Sequence, residues 1–81
     1  MRKGHVQFFK KGTRAYTLTL EQDLLGDWVI RRSWGPLTSP FARTKVEVFL
    51  NPDQAERRFK ALAHQRVSVR GYTLHKKRTT A

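Results

Sequence analysis

The chain has 81 residues, with 17 lysines and arginines against six acids, and a formal net charge of +11. That length fits one domain at most, and the absence of cysteine excludes disulfides, thiolate zinc sites and cysteine nucleophiles. No apolar run approaches the roughly 18–20 residues of a transmembrane helix, so the excess charge asks for an anionic partner: nucleic acid first, an anionic membrane or an acidic protein second.

Val6, Phe8 and Phe9 make His5 to Lys10 read as a short strand, punctuated by Lys11 and Gly12. From Arg14 to Leu20, Tyr16, Leu18 and Leu20 alternate with Ala15, Thr17 and Thr19, the pattern of a strand with one buried face. Glu21 to Asp27 is a polar turn containing Gly26, which predicts an antiparallel hairpin. The return strand runs from Asp27 to about Trp34, with Trp28, Ile30, Arg32 and Trp34 on one face and Val29, Arg31 and Ser33 on the other. Gly35 to Ala42 is a loop with two prolines, and Thr44 to Leu50 is a further strand.

Asn51 and Pro52 announce a helix: the Asn side chain can accept an orphan backbone N–H, and Pro loses nothing at the first helical position. Asp53 and Glu56 place negative charge at the positive end of the helix dipole. Ala55, Phe59, Leu62 and Ala63 recur at helical spacing, and Gly71 is a candidate C-cap, so the helix is expected over Pro52 to Val69. Tyr72 to Leu74 reads as a last short strand, and Lys76 to Ala81 as a frayed basic tail. The fold class is therefore α+β: an antiparallel β-sheet packed against one long α-helix, in a single domain over 1–81 with its core over about 5–74.

The residues offer little for catalysis. His5, His64 and His75 lie far apart, without metal-ligand spacing. The acids cluster at a turn and at a helix start, where turn chemistry and the helix dipole account for them. No nucleophile elbow or phosphate-binding loop is present. A non-catalytic protein with no metal and no cofactor is expected.

The basic residues say more. Arg31 and Arg32 occupy adjacent, opposite-facing strand positions beside Trp34, and Arg43 and Lys45 follow the loop. Arg66 and Arg70 fall near the centre of the helix stripe that carries Phe59 and Ala63. Charges there must snorkel past the sheet edge or meet an anion, unless the helix overhangs its core and leaves both in water. Trp34 has two readings: a ring that stacks on a base or sugar beside phosphate-holding arginines, or one packed under the Gly35 to Ala42 loop.

Taken together, Tyr16-Thr-Leu18-Thr-Leu20, Asp23-Leu-Leu-Gly26-Asp-Trp28, Val29-Ile-Arg-Arg32-Ser-Trp34-Gly35, the helix positions Ala55, Phe59 and Leu62, and Arg70-Gly71-Tyr72 resemble the WGR domain. That domain occurs in DNA-dependent poly(ADP-ribose) polymerases and in small or multidomain bacterial proteins. The resemblance covers about residues 5 to 74. It implies an antiparallel sheet on one long helix, DNA binding at a strand break, a motif Trp against the terminal nucleotide, and basic residues on the backbone. Trp34 takes the motif Trp position. Pro36 stands where the motif has Arg, and Thr38 where a glycine is usual. Pro36 can neither form an ion pair nor donate a backbone hydrogen bond, which leaves Arg32 and Arg43 as candidates to supply charge nearby. No catalytic domain is present, so ADP-ribosylation is not implied.

The expected function is thus binding of nucleic acid, double-stranded DNA in preference to RNA, with ends or nicks as candidate features. Phosphate contacts are expected from Arg31, Arg32, Arg43, Lys45, Arg66 and Arg70, with Trp34 stacking or packing at a terminus. The alternative is an adaptor that docks on an acidic protein or a nucleic-acid enzyme. Membrane-surface binding is not expected, because the helix needs its apolar stripe for the core. The basic start, Met1-Arg-Lys-Gly, leads into a stretch too short and polar for a signal-peptide core, so a cytoplasmic location is expected, at the nucleoid for a DNA-binding protein.

Overall fold

Period-two alternation builds a five-stranded sheet in this protein. The computed structural model describes residues 4–80, with side chains through Arg78. Strands β1 (Gly4–Lys11), β2 (Arg14–Gln22), β3 (Trp28–Pro36) and β4 (Arg43–Phe49) follow one another as an antiparallel meander. Helix α1 (Pro52–Ser68) comes next, and β5 (Thr73–Thr80) returns to pair antiparallel with β1, giving the order β4-β3-β2-β1-β5. Among the described residues, no helix is long and apolar enough to cross a membrane.

The register sets three rows across the helix-covered face. Phe9, Tyr16, Trp34 and Arg43 form one; Gln7, Leu18, Arg32 and Lys45 the next; His5, Leu20, Ile30 and Glu47 the third. The inner members of these rows, Phe9, Tyr16, Leu18, Leu20 and Ile30, are fully buried. From the helix, Ala55, Phe59 and Leu62 close over them. Their spacing of four and then three residues keeps them on one side of the helix. Each fully buried apolar side chain of this size contributes about 1.5–3 kcal/mol.

The caps act as the sequence suggests at the N-terminus. Asn51 Oδ1 accepts from the backbone N–H of Asp53 at 2.8 Å and of Gln54 at 3.3 Å, with Pro52 at the first helical position. At the other end the helix stops at Ser68, one residue short of the expected Val69, which is the C-cap itself. Gly71 follows with φ +73°, a left-handed conformation that glycine adopts without strain. It turns the chain so that the Tyr72 N–H donates to the Arg66 carbonyl at 3.0 Å.

One expectation is corrected. Residues 76–80, read as a frayed tail, belong to β5, which continues to Thr80. The outer edge of β1 supplies the missing partner: Lys76, Lys77 and Arg78 stand opposite Phe8, Gln7 and Val6. A row of backbone donors and acceptors can order a polar segment whose side chains suggest no burial. Ala81, the last residue of that expected tail, lies outside the described residues.

Candidate functional site

Where the C-terminal end of α1 passes over the sheet, side chains from the helix, the turn after it and four strands line an open cleft of about 510 Å³. Arg32 and Trp34 come from β3, Lys45 from β4, Arg66 from α1 and Arg70 from the turn after it. Lys11 and Arg14 come from the β1–β2 hairpin, and Tyr72 completes the wall. Among the described residues, six cations and two aromatic rings thus share one cavity, and no carboxylate lines it. The volume lies within the roughly 300–1,000 Å³ of small-ligand pockets.

The sheet register produces this gathering. Arg32 and Lys45 are cross-strand neighbours in one row, and Trp34 begins the next. Lys11 and Arg14 face each other across the hairpin. They lie two residues beyond Phe9 and two before Tyr16, which puts them on the same face.

The arginine in the helix stripe neither extends into water nor lies free at the sheet edge: it caps the core and borders the cleft. The Arg66 guanidinium carbon sits 3.7 Å from the centre of the Tyr16 ring and 5.2 Å from that of Tyr72. The ring faces, negative in their quadrupole, hold the cation by about 0.5–2 kcal/mol. Arg66 is half-buried, so its charge rests on the core and borders the cleft at once. Arg70 is exposed, and its carbonyl accepts a 2.7 Å hydrogen bond from Lys11 Nζ, tying the hairpin to the end of the helix.

The ring of Trp34 stacks against that of Tyr16, with centroids 6.4 Å apart and planes inclined by 25°. Of the two readings, packing under the Gly35 to Ala42 loop does not hold. Gly35 alternates to the opposite face, and it is there that the loop closes. A Cβ built on Gly35 would collide with the Ser39 carbonyl oxygen and crowd Ala42 at 3.1 Å. Trp34 is left half-buried on the cleft side.

Ion pairing is sparse on this face. Glu47 is the acid beside the cleft. It accepts from Arg58 at 3.1 and 3.4 Å, while Arg32 Nη2 stands 3.5 Å away. Arg32 Nε is buried without a hydrogen-bond partner among the described residues, and so is the Tyr16 hydroxyl. A buried polar group left in that state costs about 1–3 kcal/mol. Among the described residues, Arg14, Lys45, Arg66 and Arg70 form no ion pair.

Of the residues singled out from sequence, Arg32, Trp34, Lys45, Arg66 and Arg70 come together. Arg31 stands on the opposite face, where Nη1 pairs with Glu21 at 3.0 Å, both side chains about half exposed. Arg43 is opposite Trp34 in the register but is exposed and does not line the cleft. Sequence reasoning missed Lys11, Arg14 and Tyr72. The alternation that marked Phe9 and Tyr16 as core also carries Lys11 and Arg14 to the same face, and Gly71 marks the turn that delivers Tyr72. Among the described residues, no group of three or more His, Asp or Glu side chains is placed to hold a metal ion. Compared with known proteins, the chain matches no family model, and no curated protein matches it significantly.

Proposed function

We propose that this protein is a non-catalytic, WGR-type module that binds the backbone of double-stranded DNA in the cleft, at ends or nicks, and works at the nucleoid of a bacterial cytoplasm. The observation that carries the reading is the company Trp34 keeps: six cations and no carboxylate around one half-buried indole. Phosphate oxygens are the acceptors such a cleft lacks: among the described residues, its Arg14, Lys45, Arg66 and Arg70 form no ion pair. A half-buried Trp in the cleft wall suits the exposed ring of a terminal nucleotide, which an unbroken duplex does not offer. Backbone contacts of this kind position the module and read no sequence.

The test is a competition assay at about 150 mM salt with a labelled, 5′-phosphorylated duplex. The competitors are the same duplex closed by hairpins at both ends, a nicked duplex, single strands and double-stranded RNA. Open and nicked DNA are expected to compete best. With five or so phosphates engaged, log K should fall against log salt with a slope of about −4 to −5. Equal competition by every polyanion would remove the end preference. Absence of binding, or indifference to Trp34→Ala and Lys45→Glu, would sink the reading and leave the adaptor for an acidic protein in its place.

A further inference from the structure

A second concavity lies at the same end of the sheet on the face that the helix leaves bare. It measures about 370 Å³, and its lining is mainly apolar. Phe8 of β1 forms part of its wall, and Pro40 and Phe41, from the loop that closes onto Gly35, form another. Lys10, His75 and Lys76 stand at it, and among the described residues no acid lines it.

Two features separate this groove from an ordinary patch of bare sheet. The first is the pairing of β1 with β5. Leu74 stands opposite Phe9 and Lys76 opposite Phe8, so His75 is an extra residue, and the register shifts there. Such a bulge interrupts the ladder and re-aims a side chain; here the bulged residue lines the groove. The second is Phe41, which is 61% exposed although its loop is pinned. The Leu37 N–H donates to the Thr13 carbonyl at 2.8 Å, and the Ser39 and Ala42 N–H groups are bonded within the loop. The pinned loop thus holds the Phe41 ring at the groove that Phe8 also lines.

We infer that the groove binds one or two unpaired nucleotides of a single strand, with bases against Phe8 and Phe41 and phosphates on Lys10 and Lys76. The chemistry is that of single-strand binders in general: aromatic rings accept any base, and cations beside them track the backbone. The rim supplies positive charge alone, which complements a phosphodiester chain and not a neutral or basic ligand. Consecutive residues Lys10 and Lys11 put one cation in the groove and one in the cleft, so charge continues around the hairpin from one face to the other. The groove stands apart from the cleft and needs no duplex.

The experiment measures fluorescence anisotropy of labelled octathymidylate and octauridylate, alongside a duplex with an open end, for the wild type, Phe41→Ala, the double variant Lys10→Glu/Lys76→Glu, and Trp34→Ala. Phe41→Ala is expected to weaken octanucleotide binding about ten-fold, the stacking of one base, and the double charge reversal by at least as much. Phe41→Ala should leave open-end duplex affinity within two-fold of wild type, whereas the double reversal, whose Lys10 is next to Lys11 of the cleft, should lower duplex affinity less than it lowers octanucleotide affinity. Octanucleotide affinity unchanged by Phe41→Ala, or lost only with Trp34→Ala, overturns the inference while duplex binding keeps the cleft reading intact. Phe41-dependent octanucleotide binding with no duplex binding does the reverse. Thermal melting of each variant separates lost contact from lost fold.

Discussion

The two ends of the helix–sheet interface follow opposite rules. Toward the start of α1, Ala55, Phe59 and Leu62 meet Leu20 and Ile30 in an apolar layer, with His5 against the Phe59 ring at 5.8 Å. Toward its end, the same stripe delivers Arg66 and the following turn delivers Arg70, and they meet Arg32, Lys45, Lys11 and Arg14. One end lowers the free energy by removing apolar surface from water. The other gathers like charges and leaves a buried Arg32 donor unfilled, both of which raise it. A small domain has little stability to spare, so the apolar end carries the fold and the cationic end draws on it.

The comparison is open to direct attack. The largest effect belongs to the apolar end: Leu62→Ala, at a side chain 2% exposed, should cost about 2–5 kcal/mol in urea unfolding. In conditions where the variant is folded, its affinity for duplex should not change; a shift would mean that the two ends are mechanically coupled. Arg66→Met comes next and should split the two readouts. Duplex binding is expected to fall about ten-fold, with the salt slope smaller in magnitude by about one. Stability should move by less than about 1 kcal/mol, because the lost contact with Tyr16 is offset by relief of repulsion. A stability loss as large as that of Leu62→Ala would show that the cationic end holds the fold after all. The smallest effect is that of Arg31→Ala. Its exposed pair with Glu21 is worth up to about 0.5 kcal/mol, and with its side chain on the other face, duplex binding should stay at the wild-type level. A ten-fold loss there would place phosphate contacts on both faces of the sheet.

How much of this was legible before the structure depends on which rule a residue obeys. Alternation placed Tyr16, Leu18, Leu20 and Ile30 on one face, and the register agrees. Asn51-Pro52 placed the helix start because cap chemistry is local. The same alternation put Arg32 and Trp34 together and Arg31 apart. What could not be read was anything fixed by a distant partner. β5 is ordered through Thr80 by the edge of β1, some seventy residues earlier in the chain, and its lysines carry no sign of that edge. Arg66 looked misplaced in an apolar stripe because the stripe does not reveal that two tyrosine faces await it. The cleft itself is a product of topology: its eight lining residues are spread over 62 positions, from Lys11 to Tyr72.

The adjacency of Trp34 and Gly35 has a consequence for how this chain can change. Side chains alternate along a strand, so these neighbours serve opposite faces: the indole enters the cleft, and the bare Cα makes way for the loop that carries Phe41. Both faces are therefore set by one parity. A residue inserted between Ile30 and Trp34 would exchange their roles at a stroke, pressing the indole into the loop and opening a gap beside Tyr16. Substitutions can tune the cleft and the groove separately, but an insertion or deletion in this stretch alters both together, and that ties the length of β3 more tightly than its composition.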